Sequence, residues 1–277
     1  MQLDFGKRRL DLSRPVVMGI LNVTPDSFSD GGAYPDPALA AARALQMVEE
    51  GAAVIDVGGE STRPGAAAVD GDSEIARVVP VIEAIRGSCD VPVSIDTSKP
   101  EVMRAAVAAG ASFINDVRAL REPGALEAAA SLKVPVCLMH MRGEPRTMQD
   151  APEYDNVVSD VMAFLAERVD TCLRAGFLRE RLVLDPGFGF GKTLQHNLLI
   201  LNNLQRLTEF ELPVLVGISR KSMIGAILDR PVDQRLYGSL AAATISLLKG
   251  ASIIRTHDVA PTVDAVRVVT ALGATQT

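Results

Sequence analysis

Short apolar runs alternate with longer stretches of helical periodicity along nearly the whole chain. The apolar runs are continuous rather than alternating, as expected for parallel strands that are buried on both faces. We interpret eight of them as strands, at residues 16–21, 53–57, 91–95, 113–115, 134–139, 182–184, 213–218 and 253–255. The regular order of strand and then helix predicts an α/β fold with a parallel sheet.

The stretches between these runs carry start and stop signals for helices. Asp36 and Pro37 supply an N-cap and a proline at the first helical position, and Gly51 ends that helix. The sequence S-K-P-E at residues 98–101 predicts a capping box for a helix that ends at Gly110.

A polar or charged residue stands at the end of every predicted strand. These residues are Asn22, Asp56, Asp96, Asn115, His140, Asp185, Ser219 and Arg255. A doubly wound sheet needs such residues only at its switch point, whereas all eight strand ends of a closed barrel meet at one mouth. The pattern therefore predicts a (β/α)8 TIM barrel that takes up residues 1–277 as one domain, with a short N-terminal hairpin or plug at its base.

Composition and charge narrow the classes of function. The chain is 48% hydrophobic, has a formal net charge of −6 and contains no apolar run long enough to span a membrane. The negative charge argues against a general nucleic-acid-binding protein. The N-terminus lacks the apolar segment of a signal peptide, and the three cysteines form no C-x-x-C pair. We therefore expect a cytoplasmic protein with a small-molecule substrate.

Long polar loops follow the first two predicted strands. Loops between a strand and a helix usually have about 2–6 residues, and longer ones tend to be functional. Asn22 and Asp30 offer hard oxygen ligands that, together with substrate phosphates, suit Mg²⁺. Arg63 in the second loop suits recognition of an anion through its planar guanidinium, although a solvated surface arginine is the alternative.

Acidic and amide side chains end the middle strands, and cations follow the last two. Asp96, Asn115 and Asp185 can accept and donate hydrogen bonds at the N–H-rich edge of a flat heterocycle, such as a pterin or a guanine. Lys221 and Arg255 lie where many barrels bind phosphate. A nitrogen heterocycle that carries a phosphate or diphosphate would satisfy both sets.

The glycine-rich segment at residues 187–193 is not a P-loop, because the first glycine of that pattern would fall on Pro186. We interpret it as a flexible loop whose Phe190 can reach an aromatic substrate. His140 is compatible with a role at the mouth or with a structural one.

Seven motifs, in this order, closely resemble the bacterial dihydropteroate synthase family over almost the whole chain. They are M-G-I-L-N-V-T-P-D-S-F-S-D-G-G (18–32), D-V-G-G-E-S-T-R-P-G (56–65), S-I-D-T-S-K-P (94–100), I-N-D-V (114–117), L-D-P-G-F-G-F-G-K (184–192), G-I-S-R-K-S (217–222) and I-I-R-T-H-D-V (253–259). The resemblance implies condensation of 6-hydroxymethyl-7,8-dihydropterin diphosphate with 4-aminobenzoate, giving 7,8-dihydropteroate and diphosphate, with Mg²⁺ as cofactor.

The resemblance also implies roles for the matching residues. The implied pterin pocket consists of Asp96, Asn115, Met139, Asp185, Lys221 and Arg255. The implied diphosphate site consists of Asn22, Thr62, Arg63, Arg255 and His257, with Asn22 and Asp30 as ligands of Mg²⁺. The implied 4-aminobenzoate site consists of Thr62, Pro64, Phe190, Ser219 and Ser222. The implied catalytic residues are Arg63, Asp96, Asp185, Lys221 and His257.

Two other functions share some of these features. A methyltetrahydrofolate–corrinoid methyltransferase of the same superfamily would share the pterin pocket but would not need the diphosphate residues. A non-catalytic pterin-binding paralogue would be expected to lack loop residues such as Asn22, Asp30 or Arg63, and all three are present. The family resemblance further implies a homodimer formed through the last helices, where residues 237–248 are largely apolar.

Overall fold

A computed structural model describes residues 1–5, 9–24, 36–61, 68–143, 148 and 152–275. Two short strands form an antiparallel hairpin, β1 (Gln2–Asp4) and β2 (Arg9–Asp11). Eight further strands form one parallel sheet: β3 (Val16–Asn22), β4 (Val54–Gly58), β5 (Val93–Asp96), β6 (Phe113–Asp116), β7 (Val136–Met139), β8 (Leu182–Asp185), β9 (Leu215–Gly217) and β10 (Ile253–Thr256).

The parallel sheet closes into a barrel, as predicted. Its strand order is β8-β7-β6-β5-β4-β3-β10-β9. Leu184 of β8 forms a parallel bridge with Val214, and its backbone N–H donates to the carbonyl of Pro213 at 2.9 Å. These contacts join β8 to the chain that enters β9, so the two ends of the sheet meet.

Nine α-helices lie in the described part of the chain and alternate with the barrel strands. They are α1 (Pro37–Glu49), α2 (Gly71–Ser88), α3 (Pro100–Ala108), α4 (Ala125–Leu132), α5 (Val157–Arg174), α6 (Leu194–Asn202), α7 (Ser222–Leu228), α8 (Leu236–Leu248) and α9 (Val259–Gly273). No helix within the described ranges is long and apolar enough to cross a membrane.

Local signals predicted one of the two helix starts correctly. Asp36 caps α1, and its side chain accepts from the backbone N–H groups of Ala38 and Leu39. The capping box expected at residues 98–101 is wrong. The N-cap of α3 is Lys99, without a side-chain cap, and the hydroxyl of Ser98 donates instead to the carboxylate of Asp116.

Three predicted strands begin too early for a common reason. Strands expected from residues 91, 134 and 213 begin at Val93, Val136 and Leu215. A proline stands just before or within each expected start, at positions 92, 135 and 213. Proline has no N–H to donate to a ladder, so regular pairing begins after it.

Side chains alternate between the helix layer and the inside of the barrel. Met18, Phe113 and Ile253 belong to a buried cluster that fills the lower barrel. Leu3 and Phe5, in and after β1, join this cluster, so the N-terminal hairpin plugs the base as predicted. With the bottom filled by apolar side chains, polar groups are confined to the opposite end.

Leu3 should be the apolar anchor of this plug. It is fully buried, so Leu3→Ala should lower the free energy of unfolding by about 2–5 kcal/mol through lost burial and a residual cavity. The matched control is Leu178→Ala, since Leu178 is 50% exposed and should cost far less. Urea unfolding of both variants measures the difference, and equal losses would contradict a structural plug.

Candidate active site

The upper barrel gathers the polar residues at the ends of the strands. Strand register pairs Gly58 with Asp96, Asp96 with Asn115, and Met139 with Asp185 across successive strands. Because side chains two residues apart in a strand lie on the same face, Asp56, Ser94 and Asp96 all face the barrel interior. Most of the predicted ring therefore lies at one mouth, but His140 points to the opposite face from Met139 and contacts Lys192 instead.

Arg255 of β10 is at the centre of this ring. Its Nε donates to Oδ2 of Asp56 at 2.5 Å, and its Nη2 donates to Oδ2 of Asp96 at 2.7 Å. The amide of Asn115 also donates to Oδ2 of Asp56, at 3.0 Å. These carboxylates keep the pKa of Arg255 above its ordinary value against the effect of burial, so the guanidinium is charged.

Asp56 was counted among the strand ends but given no role from the sequence. It is fully buried, and its Oδ1 has no hydrogen-bond partner in the described part of the chain. A buried carboxylate oxygen without a donor is costly, which points to a ligand that supplies one. The sequence signal that could have found it is its position two residues before Gly58, on the inward face of β4.

Burial changes the protonation of the acidic side of the mouth. It raises the pKa of Asp96 to about 7, against the attraction of Arg255 and with a contribution from the Asp56 carboxylate. Burial also raises the pKa of Asp185, whose Oδ1 accepts from the backbone N–H of Gly187 at 2.7 Å. Both groups therefore hold protons more readily than exposed aspartates.

Lys221 lies at the end of the loop that follows β9. Its Nζ donates to the carbonyl of Phe188 at 2.5 Å and lies 4.1 Å from the ring centroid of Phe190. Burial lowers the pKa of Lys221 to about 8, and the nearby Asp185 carboxylate limits the shift. Phe190 belongs to a small buried cluster that also contains Met139, so the structure brings these three predicted residues together.

Ser219 and His257 meet across β9 and β10. The hydroxyl of Ser219 lies 3.1 Å from Nδ1 of His257 and accepts from the His257 backbone N–H at 3.2 Å. Ser222 is exposed at the start of α7. The neighbouring Arg220 does not join the mouth residues but pairs with Asp258.

Asn22 ends β3 beside the acidic group. A Cβ placed on Gly58 would lie 3.9 Å from both Oδ1 of Asn22 and Oδ2 of Asp96, so these oxygens flank the glycine. The described residues contain no cluster of three or more histidine, cysteine or acidic side chains that could hold a metal. Four predicted site residues, Asp30, Thr62, Arg63 and Pro64, lie outside the described residues.

The barrel and its mouth agree with a known class of protein. A family model described as Pterin binding enzyme matches residues 18–257, which is the barrel from β3 to the residue after β10. The match includes every described residue of the mouth.

Comparison with individual relatives identifies one family within this class of pterin-binding enzymes. The chain is 57% identical to the dihydropteroate synthase of Escherichia coli (strain K12) over 262 residues, covering 95% of this chain and 93% of that protein. The structure of Yersinia pestis dihydropteroate synthase with a sulfonamide drug matches with a TM-score of 0.95 at 53% identity, covering 99% and 100% of the two chains. That of the Xanthomonas albilineans enzyme with 4-aminobenzoic acid matches with a TM-score of 0.93 at 54% identity, covering 99% and 98%. The chain belongs to the dihydropteroate synthase family of transferases.

Arg255 should be necessary for stability because it pairs with two buried carboxylates and compensates their negative charge. Arg255→Met leaves Asp56 and Asp96 close together without their cation, which should cost about 3–5 kcal/mol of unfolding free energy at pH 8. The loss should shrink at pH 5, because the fold without Arg255 binds a proton more tightly than the unfolded chain does. Urea unfolding at both pH values measures this change.

The control for this variant is Arg267→Met, since Arg267 and its partner Asp264 are each 75% exposed. An exposed pair contributes at most about 1 kcal/mol. A loss in Arg255→Met that is as small as the control's, or that is independent of pH, would contradict the role of Arg255.

Proposed function

We propose that this chain condenses 6-hydroxymethyl-7,8-dihydropterin diphosphate with 4-aminobenzoate to form 7,8-dihydropteroate and diphosphate. The observation that carries this proposal is the buried acid–amide group next to the two cations Arg255 and Lys221 and the ring of Phe190, at the mouth of a barrel of this family. The acid–amide group suits the pterin, the cations suit the diphosphate, and Phe190 suits the arylamine. The Y. pestis and X. albilineans structures, with a sulfonamide and with 4-aminobenzoic acid, support the arylamine as substrate.

The pterin is placed inside the barrel, between the acidic residues and the lysine. Asp96 and Asp185 accept hydrogen bonds from its N–H groups, while Asn115 and Lys221 donate to its acceptors. Arg255 and Met139 pack against the ring. The unpaired Oδ1 of Asp56 supports this placement, since a pterin N–H group can donate to it.

The diphosphate is placed at the rim. Arg255 and His257 bind its oxygens, and the family resemblance assigns Thr62 and Arg63 of the second loop to the same diphosphate. Asn22 and Asp30 would hold Mg²⁺, because a hard cation with few protein ligands takes its other oxygens from substrate phosphates and water. When bound, Mg²⁺ neutralises charge on the leaving diphosphate.

The 4-aminobenzoate is placed above the pterin. Phe190 lies against its ring, Ser219 and Ser222 donate to its carboxylate, and Thr62 and Pro64 complete the site. The position of Phe190 over Lys221, which contacts the pterin in this proposal, supports an arylamine that lies next to the exocyclic carbon that it attacks. A sulfonamide resembles this substrate in shape and would occupy the same place.

The reaction is S_N1-like. The bond between the exocyclic methylene and the diphosphate oxygen breaks, and its electron pair leaves with the oxygen. Asp96 and Asp185 stabilise the positive charge on the pterin, while Arg63, Arg255 and His257 stabilise the departing anion. The amine nitrogen then bonds to the methylene and loses a proton. A weakly basic arylamine needs positioning more than activation.

The chain is further proposed to form a homodimer through its last helices. Tyr237, Ile245 and Leu248 of α8 are 82%, 41% and 58% exposed, and Val268 and Leu272 of α9 are 69% and 52% exposed. Apolar side chains concentrated on neighbouring helices are typical of a protein interface.

Asp185 should be needed for turnover rather than for folding. Asp185→Asn keeps the shape but removes the negative charge that stabilises the cation, so kcat should fall about 10²–10³-fold. Formation of dihydropteroate by the purified variant measures this effect. Asp170→Asn, at an exposed position on α5, is the matched control and should keep the original rate. Turnover by Asp185→Asn close to the control would exclude the role.

The rate should show a bell-shaped dependence on pH. Asp96, with a pKa of about 7, must be ionised to accept from the pterin, and Lys221, with a pKa of about 8, must be protonated to donate. Thus kcat/KM should rise towards pH 7 and fall above pH 8. Lys221→Arg stays charged throughout this range and should lose the falling limb. A falling limb that persists in this variant would contradict the assignment to Lys221.

A further inference from the structure

The loop between β8 and α6, residues 186–193, is hydrogen-bonded on its buried side to a lysine that has no role in the proposed reaction. Lys192 is only 2% exposed. Its Nζ donates to the carbonyls of Gly187 at 2.8 Å, Phe190 at 3.0 Å and His140 at 3.3 Å. The loop therefore folds around the amino group of Lys192.

His140 completes the surroundings of this amino group. Its Nδ1 lies 2.9 Å from Nζ of Lys192. Burial and the nearby Lys192 charge lower the pKa of His140 to about 2, so the imidazole is neutral and Nδ1 can accept a hydrogen bond. Within the described chain, all hydrogen-bond acceptors around Nζ of Lys192 are uncharged. Burial lowers the pKa of Lys192 as well, so its amino group meets these neutral acceptors through hydrogen bonds rather than through an ion pair.

Asn197 of α6 provides a second attachment. It is 2% exposed, its Oδ1 accepts from the N–H of Gly189 at 2.8 Å, and its Nδ2 donates to the carbonyl of Lys192 at 3.2 Å. The hydroxyl of Tyr154 donates to the carbonyl of Gly191 at 2.7 Å. Asn197 and Tyr154, from outside the loop, thus hold further peptide groups of the loop in addition to those held by Lys192.

Glycines let the loop lie directly against the chain after β7. Gly187 and Gly191 have φ of +68° and +63°. A Cβ at Gly187 would lie 1.9 Å from the carbonyl oxygen of His140, and one at Gly191 would lie 2.2 Å from that of Arg142. The close approach and the hydrogen bonds together constrain the backbone of this loop, which the sequence predicted to be flexible.

The upper side of the same loop contacts the mouth. Its Gly187 N–H donates to Asp185, and its Phe188 carbonyl accepts from Lys221. The ring of Phe190 lies over the Lys221 ammonium. The carbonyls of Gly187 and Phe190, which accept from Lys192, therefore belong to the same short loop as the groups that contact Asp185 and Lys221.

We propose that Lys192, together with Asn197, is a positioning residue that fixes the 186–193 loop so that Phe190 and the Phe188 carbonyl are presented to the arylamine and to Lys221. This proposal rests on the proposed function for the identity of the arylamine, 4-aminobenzoate. Lys192 itself touches neither substrate in this account. Its effect passes through the backbone of the loop.

Kinetics of Lys192→Met distinguish positioning from simple stabilisation. The methionine keeps the length of the stem but cannot donate to the carbonyls, so KM for 4-aminobenzoate should rise about tenfold or more. KM for the pterin diphosphate should rise by a smaller factor, because Asp96 and Asn115 do not depend on the loop. Asn197→Leu should show the same pattern and serves as the second variant if Lys192→Met does not fold.

Two controls separate loop position from stability. Lys249→Met removes a lysine that donates to the carbonyl of Asn202 at 2.7 Å, at the C-terminal end of α6 and far from the mouth. Leu204→Ala removes a fully buried side chain near the base and lowers the unfolding temperature. Both should retain the KM values of the parent protein.

A fluorescent reporter tests the loop without activity. The chain contains no tryptophan, so Phe190→Trp introduces a single indole. Acrylamide quenching of that indole should increase when Lys192→Met or Asn197→Leu is added, and should not change with Lys249→Met. If quenching or KM for 4-aminobenzoate is unchanged while only the unfolding temperature falls, the positioning role is overturned. If the parent protein makes no dihydropteroate, the proposed function fails, and quenching still decides whether Lys192 fixes the loop.

Discussion

The ion pairs between Arg255 and the two carboxylates of Asp56 and Asp96 are the interaction on which the mouth of the barrel depends. Arg255 belongs to the last barrel strand, whereas its partners belong to the second and third. In the sheet order, β10 is separated from these strands by β3, so Arg255 reaches both carboxylates across the inside of the curved sheet. Because removing one partner leaves a buried charge uncompensated, the curvature of these strands and the arrangement of the site depend on each other.

This arrangement explains how one mouth of the barrel can offer groups of both charges to its substrates. The apolar cluster at the base, closed by Leu3 and Phe5, excludes water from below and keeps the polar groups at one end. There, Arg255 lies between the carboxylates of Asp56 and Asp96, and Lys221 is close enough to Asp185 for its charge to be felt. Burial brings the pKa values of Asp96 and Lys221 towards each other, to about 7 and about 8. The acid and the base of the mouth can therefore both be charged only in a narrow range of pH.

The strand pattern and the ring of polar strand ends could be predicted from the sequence because both follow from local periodicity. Asp56 received no role, since its pairing with Arg255 joins residues 199 apart and has no local signal. Ser98 was expected to cap a helix, but in the folded chain its hydroxyl donates to the carboxylate of Asp116 instead. Lys192 was assigned to a flexible loop. The sequence does not distinguish a lysine that is buried against backbone carbonyls from one that is solvated. The identity of the substrates came only from the family resemblance.

The most direct test of the account is diphosphate release by the purified protein. Release should require the pterin diphosphate, 4-aminobenzoate and Mg²⁺ together, with dihydropteroate formed in equal amount. Release that is undiminished when 4-aminobenzoate is left out would indicate hydrolysis, and the proposed transfer would be wrong. The absence of release under every condition would contradict the account as well, and would favour a pterin-binding protein without this activity.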